Sequence, residues 1–239
     1  MEAGAGSSTI GFAIGATLGG TAAPVGRSIR RMTSPDLPEL PVHAFAKEDG
    51  GDDLAFYRPP RLVTHLDERA VAALTAYYRR LIPAGADVLD LMSSWVSHLP
   101  DELPLGEVVG HGMNAAELDA NPRLTRRFVQ DLNREPTLPL GDASVDAALC
   151  CVGVQYLQRP VEVFREVRRT LRPGGPFVVS FSNRCFPTKA VAIWRALDTE
   201  GHAALVQLYL ERAGFAAVDA AVLADGRGGD PLVAVTGRA

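Results

Sequence analysis

Cysteine, lysine and tryptophan are what this chain has least of, three, two and two residues. Cys150, Cys151 and Cys185 form neither a disulfide framework nor a zinc-binding spacing, and the adjacent pair cannot bridge without strain. A reducing compartment is the simple consequence. Lys47 and Lys189 are the only lysines, so arginine carries nearly all the basic charge; with abundant alanine this fits GC-rich coding better than a phosphate-binding design. Positive charge is not in excess either. The formal net charge is −4, which argues against non-specific binding to nucleic acid or to an anionic membrane surface. No membrane span is expected: the best apolar run, Ile10 to Val25, is short and broken by glycines.

The 239 residues suit one domain with an extension. Residues 1–45 are rich in Gly, Ala, Ser and Pro, and read as a flexible or targeting segment. Glu2 is the only carboxylate before Arg27, Arg30 and Arg31, a composition that resembles an organellar transit segment; a loosely docked tail is the plainer alternative. The expected location is therefore cytoplasmic, or a plastid or other organelle if residues 1–34 are such a segment. The order is wrong for a twin-arginine signal, because the basic pair follows the apolar run.

From about Asp53 the pattern tightens. Asp67-Glu68-Arg69 opens a helix to about Leu81, with Val71, Leu74 and Tyr78 spaced for one buried face. Apolar runs and helical segments then alternate. Strands are expected at Asp87–Leu91, Glu107–Gly110, Val129–Asp131, Ala147–Cys151, Phe177–Ser182, around Ala216–Val222 and at Leu232–Thr236. Helices are expected at Ala115–Ala120, Leu124–Phe128, Val161–Leu171, Lys189–Asp198 and His202–Ala213. This alternation predicts an α/β fold, a mostly parallel sheet covered on both faces with its ligand site at the carboxyl edge.

Val88-Leu89-Asp90-Leu91 reads as a buried strand ending near an acid and followed by a tight turn. Such a turn usually holds glycines, which permit positive φ and close approach to a ligand. Here Met92, Ser93, Ser94, Trp95 and Val96 stand instead. The second strand ends Val109-Gly110-His111-Gly112-Met113-Asn114 without an acid.

The helix Val163 to Leu171, closed by Arg172-Pro173-Gly174-Gly175 before the apolar Phe177 strand, is similar to class I S-adenosylmethionine-dependent methyltransferases of the type 11, small-molecule branch. Asp131-Leu132-Asn133, then Leu138-Pro139-Leu140-Gly141-Asp142-Ala143-Ser144-Val145-Asp146, resembles the family's stretch before its fourth strand. The resemblance covers about 85–239 and implies a doubly wound, seven-stranded sheet with the last strand antiparallel. Residues 46–84 then resemble the helical lid of that fold.

The resemblance also implies S-adenosyl-L-methionine as cofactor and methyl transfer to a small-molecule acceptor. Asp90 would support the first turn and the methionine amino group. Met92, Ser93 and Ser94 stand where the glycines would be, and the two hydroxyls are suited to the methionine carboxylate. Asn114 is the local substitute for the missing ribose acid, or a helix cap. Glu117 falls inside the helix. Asp131 and the Leu132 amide would address adenine, or Asp131 caps its loop. Cys151, after the fourth strand, would face the cofactor, and Gln155 and Tyr156 would face cofactor or acceptor.

Tyr57, Asn183 and Arg184 are candidates for the acceptor pocket. His65 and Tyr156 are the candidate general bases; His98 reads by default as a surface residue. No metal site is expected. The competing reading is a catalytically silent methyltransferase-like module that binds a ligand or a protein. A nicotinamide enzyme would need a glycine fingerprint and an acid on strand two, and neither is present.

Overall fold

The computed structural model describes residues 33, 34 and 36–239. Most of the candidate targeting segment lies outside those residues. Its described end does not hang loose: Thr33–Ser34 pairs antiparallel with Leu37–Pro41, a 3-10 turn follows at Val42–Phe45, and Leu37, Ala44 and Phe45 are buried in the main core.

Seven strands form one sheet: β1 Val88–Leu91, β2 Val108–Gly112, β3 Arg126–Val129, β4 Ala147–Cys151, β5 Pro176–Phe181, β6 Ala216–Asp225 and β7 Pro231–Arg238. Their order across the sheet is β3-β2-β1-β4-β5-β7-β6. Neighbours among β1 to β5 run parallel, whereas β7 pairs antiparallel with both β5 and β6. This is the expected doubly wound sheet with its last strand inserted antiparallel. Strands β1, β2 and β5 are buried at every position, which explains their near-continuous apolar sequences.

Among the described residues six helices accompany the sheet: α1 Asp53–Tyr57, α2 Glu68–Leu81, α3 Ala115–Asp119, α4 Pro160–Thr170, α5 Ala192–Ala196 and α6 Thr199–Arg212. In α2, the Asp67 carboxylate accepts from the Ala70 amide at 2.8 Å, and Ala70, Leu74 and Tyr78 are buried at a four-residue spacing. Pro160 occupies the first turn of α4, where its missing N–H costs nothing, and Val163, Phe164 and Val167 pack into the core. Two hydrophobic clusters result. One gathers α4, α6 and the 3-10 turn; the other gathers α2.

Three expected elements are displaced. Arg126–Val129 is the strand, not Val129–Asp131, and the expected helix Leu124–Phe128 does not form. β3 is an edge strand whose two arginines are exposed, so it lacks the apolar run by which strands are read. The helix expected over Lys189–Asp198 is confined to Ala192–Ala196, because Lys189 turns inward to an ion pair.

The strand order reverses between β1 and β4. Connections from β1 lead through β2 to β3 on one side, and β4 and β5 continue on the other. A crevice therefore opens at the carboxyl ends of these strands.

Candidate active site

The turn after β1 is built by side chains. Met92 adopts φ 57°, a left-handed conformation that a non-glycine residue holds only where its surroundings fix it. The Met92 amide donates to His111 Nδ1 at 3.1 Å, and the Ser93 amide donates to the His111 carbonyl at 2.6 Å. The other ring nitrogen of His111 donates to the Gln130 carbonyl at 2.9 Å, which fixes the neutral tautomer that accepts through Nδ1. Burial pushes this imidazole down to about 4, so it stays neutral.

Beneath the turn lies a polar network. Ser93 Oγ donates to Asp90 Oδ2 at 2.6 Å, and Asn121 Nδ2 donates to Ser97 Oγ and to the Ser94 carbonyl, both at 2.9 Å. Burial pushes the Asp90 carboxyl up to about 6, against the lowering effect of Ser93 and Ser97.

This turn explains the missing acid on β2. A Cβ on Gly112 would lie 2.6 Å from the Ser93 carbonyl oxygen, so no side chain fits there. The nearest carboxylate sits one helical turn onward. Glu117, in the first turn of α3, accepts from Ser94 Oγ at 2.6 Å and from the Arg61 amide at 2.7 Å. Asn114 caps the same helix, accepting from the Ala116 and Glu117 amides at 2.9 and 3.2 Å. Its Nδ2 donates to the carbonyls of Tyr57 and Arg58 at 2.8 and 2.9 Å. Asn114 and Glu117 thus tie residues 57–61 to the β1 turn.

The segment Asp53 to Leu66 lies over the crevice. Tyr57, Tyr156 and Phe186 face one another with ring centroids 6.1 to 6.4 Å apart, and Phe56 lies 5.4 Å from Phe186. Arg61 places its guanidinium over Phe56 and Phe186, at 4.8 and 5.3 Å. The two lysines anchor this segment: Lys189 contacts Asp53 Oδ1 and Asp49 Oδ2, each at 3.0 Å, and Lys47 pairs with Asp53 Oδ2. Both amines hold Asp53 below the usual carboxylate range, against the opposing effect of burial.

These elements enclose a cavity of about 450 Å³ at the switch point. Asp90, Met92, Ser93, Ser94, Asn114, Asp131, Leu132, Cys151, Tyr57, His65, Tyr156 and Arg184 all reach its wall. Gln155 and Asn183 do not. Gln155 is buried and donates to the Val152 carbonyl at 2.8 Å, supporting a turn in which Val152 has φ 44°. Asn183 is exposed and accepts from Ser182 Oγ at 3.2 Å.

Other expectations change in detail. The Ser93 and Ser94 hydroxyls give their protons to Asp90 and Glu117 and have none left for a ligand carboxylate. Asn114 has both ends of its amide in use, as the helix-cap reading requires. Tyr156 Oη accepts from the Phe186 amide at 2.8 Å, and burial pushes its phenol up to about 12, which leaves it unsuited to act as a base near neutral pH. Asp131 Oδ1 accepts from the Asn133 amide at 3.0 Å, closing its loop. Arg184 Nε donates to Asp230 Oδ1 at 2.9 Å.

Sequence reading missed three wall residues: Glu117, His98 and His111. A polar residue between two glycines of a wholly buried strand is the signal that marks His111.

The sheet order, the antiparallel β7 and a cavity at the β1/β4 switch point define the class I S-adenosylmethionine-dependent methyltransferase fold. Residues 97–179 match the model of a methyltransferase domain family, type 11. No curated protein matches the chain.

Among solved structures, the chain is similar to one in the complex between the Haloferax volcanii Trm112 methyltransferase activator and its presumed methyltransferase. The identity is 18% and the TM-score 0.56, covering 72% of this chain and 90% of that one. It is also similar to an Aquifex aeolicus SAM-dependent methyltransferase (18% identity, TM-score 0.52, 79% and 99% covered). An Archaeoglobus fulgidus SAM-dependent methyltransferase matches at 14% identity and TM-score 0.53, with 71% and 94% covered. At these identities the likeness is one of fold. No helix among the described residues is long and apolar enough to cross a membrane.

Proposed function

We propose that this chain binds S-adenosyl-L-methionine in the switch-point cavity and directs its methyl group to a small-molecule acceptor. The observation that carries this reading is the placement of three carboxylates, Asp90, Glu117 and Asp131, on one wall near the carboxyl ends of β1, β2 and β3. The volume suits a ligand of nucleoside size.

The donor set fits. Asp90 is a buried carboxylate without a cationic partner among the described residues, suited to the ligand's ammonium group. Glu117 takes over the sugar hydroxyls, because a side chain at position 112 is sterically barred. Asp131 and the Leu132 amide address the base. The bound sulfonium supplies an activated methyl group for in-line displacement. The protein's part is to orient the acceptor and exclude water. Tyr57, Phe186 and His65 line the acceptor end, with His65 the candidate base. Free cysteines support a reducing, cytoplasmic setting.

The silent-module reading draws on two observations: the Ser93 carbonyl occupies the space beside Gly112, and both serine hydroxyls are already engaged. Calorimetric titration with S-adenosylmethionine and S-adenosylhomocysteine separates the two readings, and absence of binding at millimolar ligand defeats the first. Given binding, Glu117→Gln should weaken it about tenfold, the order of one charge-assisted hydrogen bond. Asp131→Ala should weaken it more than Glu107→Ala, which alters the opposite end of β2.

A further inference from the structure

Among the five histidines, His65 and His98 share one cavity wall. His111 spends both ring nitrogens on backbone groups, and His202 Nε2 bonds the Trp194 carbonyl at 2.7 Å. His65 and His98, by contrast, have no side-chain hydrogen bond among the described residues.

His98 is held there at a cost. Its φ is 55°, a left-handed conformation for a residue with a side chain, and its carbonyl accepts from Thr75 Oγ1 at 2.9 Å. Its neighbours Ser97 and Leu99 are buried, so the chain cannot relax without breaking the network under the turn. A strained residue at a cavity lining is a candidate for function.

The groups that act on the pair are few. Burial lowers the pKa of His65, while Glu117 and Arg61 act on it in opposite directions. His65 is near enough to disfavour charge on His98, and burial takes His98 down to about 4. The thiol and phenols nearest the acceptor end are compromised: burial pushes the Cys151 thiol up to about 12 and the Tyr57 phenol far above its usual range, and the Tyr156 hydroxyl is engaged.

We propose that His98, together with His65, is the proton acceptor of this cavity, and that the methyl acceptor is a molecule that gives up a proton: a hydroxyl, a thiol or an N–H. This rests on the methyl-transfer reading. In the step, the acceptor heteroatom forms a bond to the methyl carbon as the sulfur–carbon bond breaks. The electron pair of that bond stays on sulfur, and the acceptor's proton passes to an imidazole nitrogen and then to water.

The test uses the full chain saturated first with S-adenosylhomocysteine and then with S-adenosylmethionine, which differ by the methyl group and its positive charge. Ring resonances of His98 and His65 in proton–carbon NMR should differ between the two complexes, while those of His43 and His202, which do not line the cavity, stay in place. With S-adenosylhomocysteine bound, phenol and anisole serve as matched probes. His98→Asn, in which asparagine tolerates the left-handed backbone, should weaken phenol about fivefold and leave anisole unchanged.

Unmoved His98 signals between the two complexes overturn the proposal. So does a loss equal for both probes, no loss for either, or no binding of phenol. Those results leave methyl transfer standing, because binding of the two nucleosides is read separately. If neither nucleoside binds, the methyl-transfer reading and this proposal fall together.

Discussion

Two turns in this molecule solve the same geometric problem by opposite means. The turn before β5, Leu171 to Gly175, uses glycine: Gly174 has φ 80°, and a Cβ on Gly175 would lie 2.7 Å from the Asp146 carbonyl oxygen. The turn after β1 also needs a left-handed residue, but assigns it to Met92 and holds it through His111 and the network of Asp90, Ser93, Ser97 and Asn121. Glycine costs only backbone entropy and brings no chemistry. The side-chain solution carries strain of about 1–3 kcal/mol per left-handed residue, and in exchange lines the cavity with hydroxyls, an acid and imidazoles. A turn that only reverses the chain can be bare, whereas a turn that forms a wall has to be furnished.

The sharpest way to break this contrast is Gly112→Asp, which restores an acid at the end of β2. The Ser93 carbonyl stands 2.6 Å from where its Cβ must go. The variant should lose about 3 kcal/mol or more of stability in urea unfolding, and should bind nucleoside ligands no better than the parent. A stable variant with improved binding would show that the side-chain network is dispensable.

A second test uses two buried groups with opposite pH signatures. His111, held at about 4, favours the folded state fully above its unfolded value of 6.5, and loses up to about 3 kcal/mol as pH falls from there to 4. Asp90, raised to about 6, disfavours the fold fully above that pH. Its penalty of about 3 kcal/mol disappears as pH falls from 6 to its unfolded value of 3.8. The two largely offset each other. Asp90→Asn should therefore be more stable than the parent at pH 7.5, with the advantage shrinking toward zero at pH 4 when the two are unfolded side by side. The smallest effect belongs to the bare turn. Gly174→Ala should cost about 1 kcal/mol through its left-handed backbone and leave ligand binding unaltered in calorimetry.

The sheet was legible in sequence because β1, β4 and β5 are buried and so written in apolar residues; the helix–Pro–Gly–Gly turn supplied the order. β3 escaped because an exposed edge strand with Arg126 and Arg127 carries no such run. Of the site, residues at strand ends were readable, as with Asp90 and Asp131. Glu117 was not, since its place at the cavity depends on where α3 starts and on a Cβ clash at Gly112 that no spacing encodes. His98 escaped for a related reason: its place in the lining goes with a left-handed backbone that no spacing encodes. Gln155 was misplaced because one residue's rotation in the turn after β4 decides between wall and core.

Lys47 and Lys189 are the only lysines, and their side chains are 3% and 1% exposed, both pinned to Asp53. Acylating reagents therefore find no lysine amine on the folded surface. Modification of Lys189 reports a moment when the segment carrying Asp53 has come away from the loop that leads into α5. Because the acylated amine cannot pair again, the event is recorded permanently. Mass-spectrometric labelling of Lys189 would then act as a clock for the opening of the cavity's cover, and nucleoside binding should slow it.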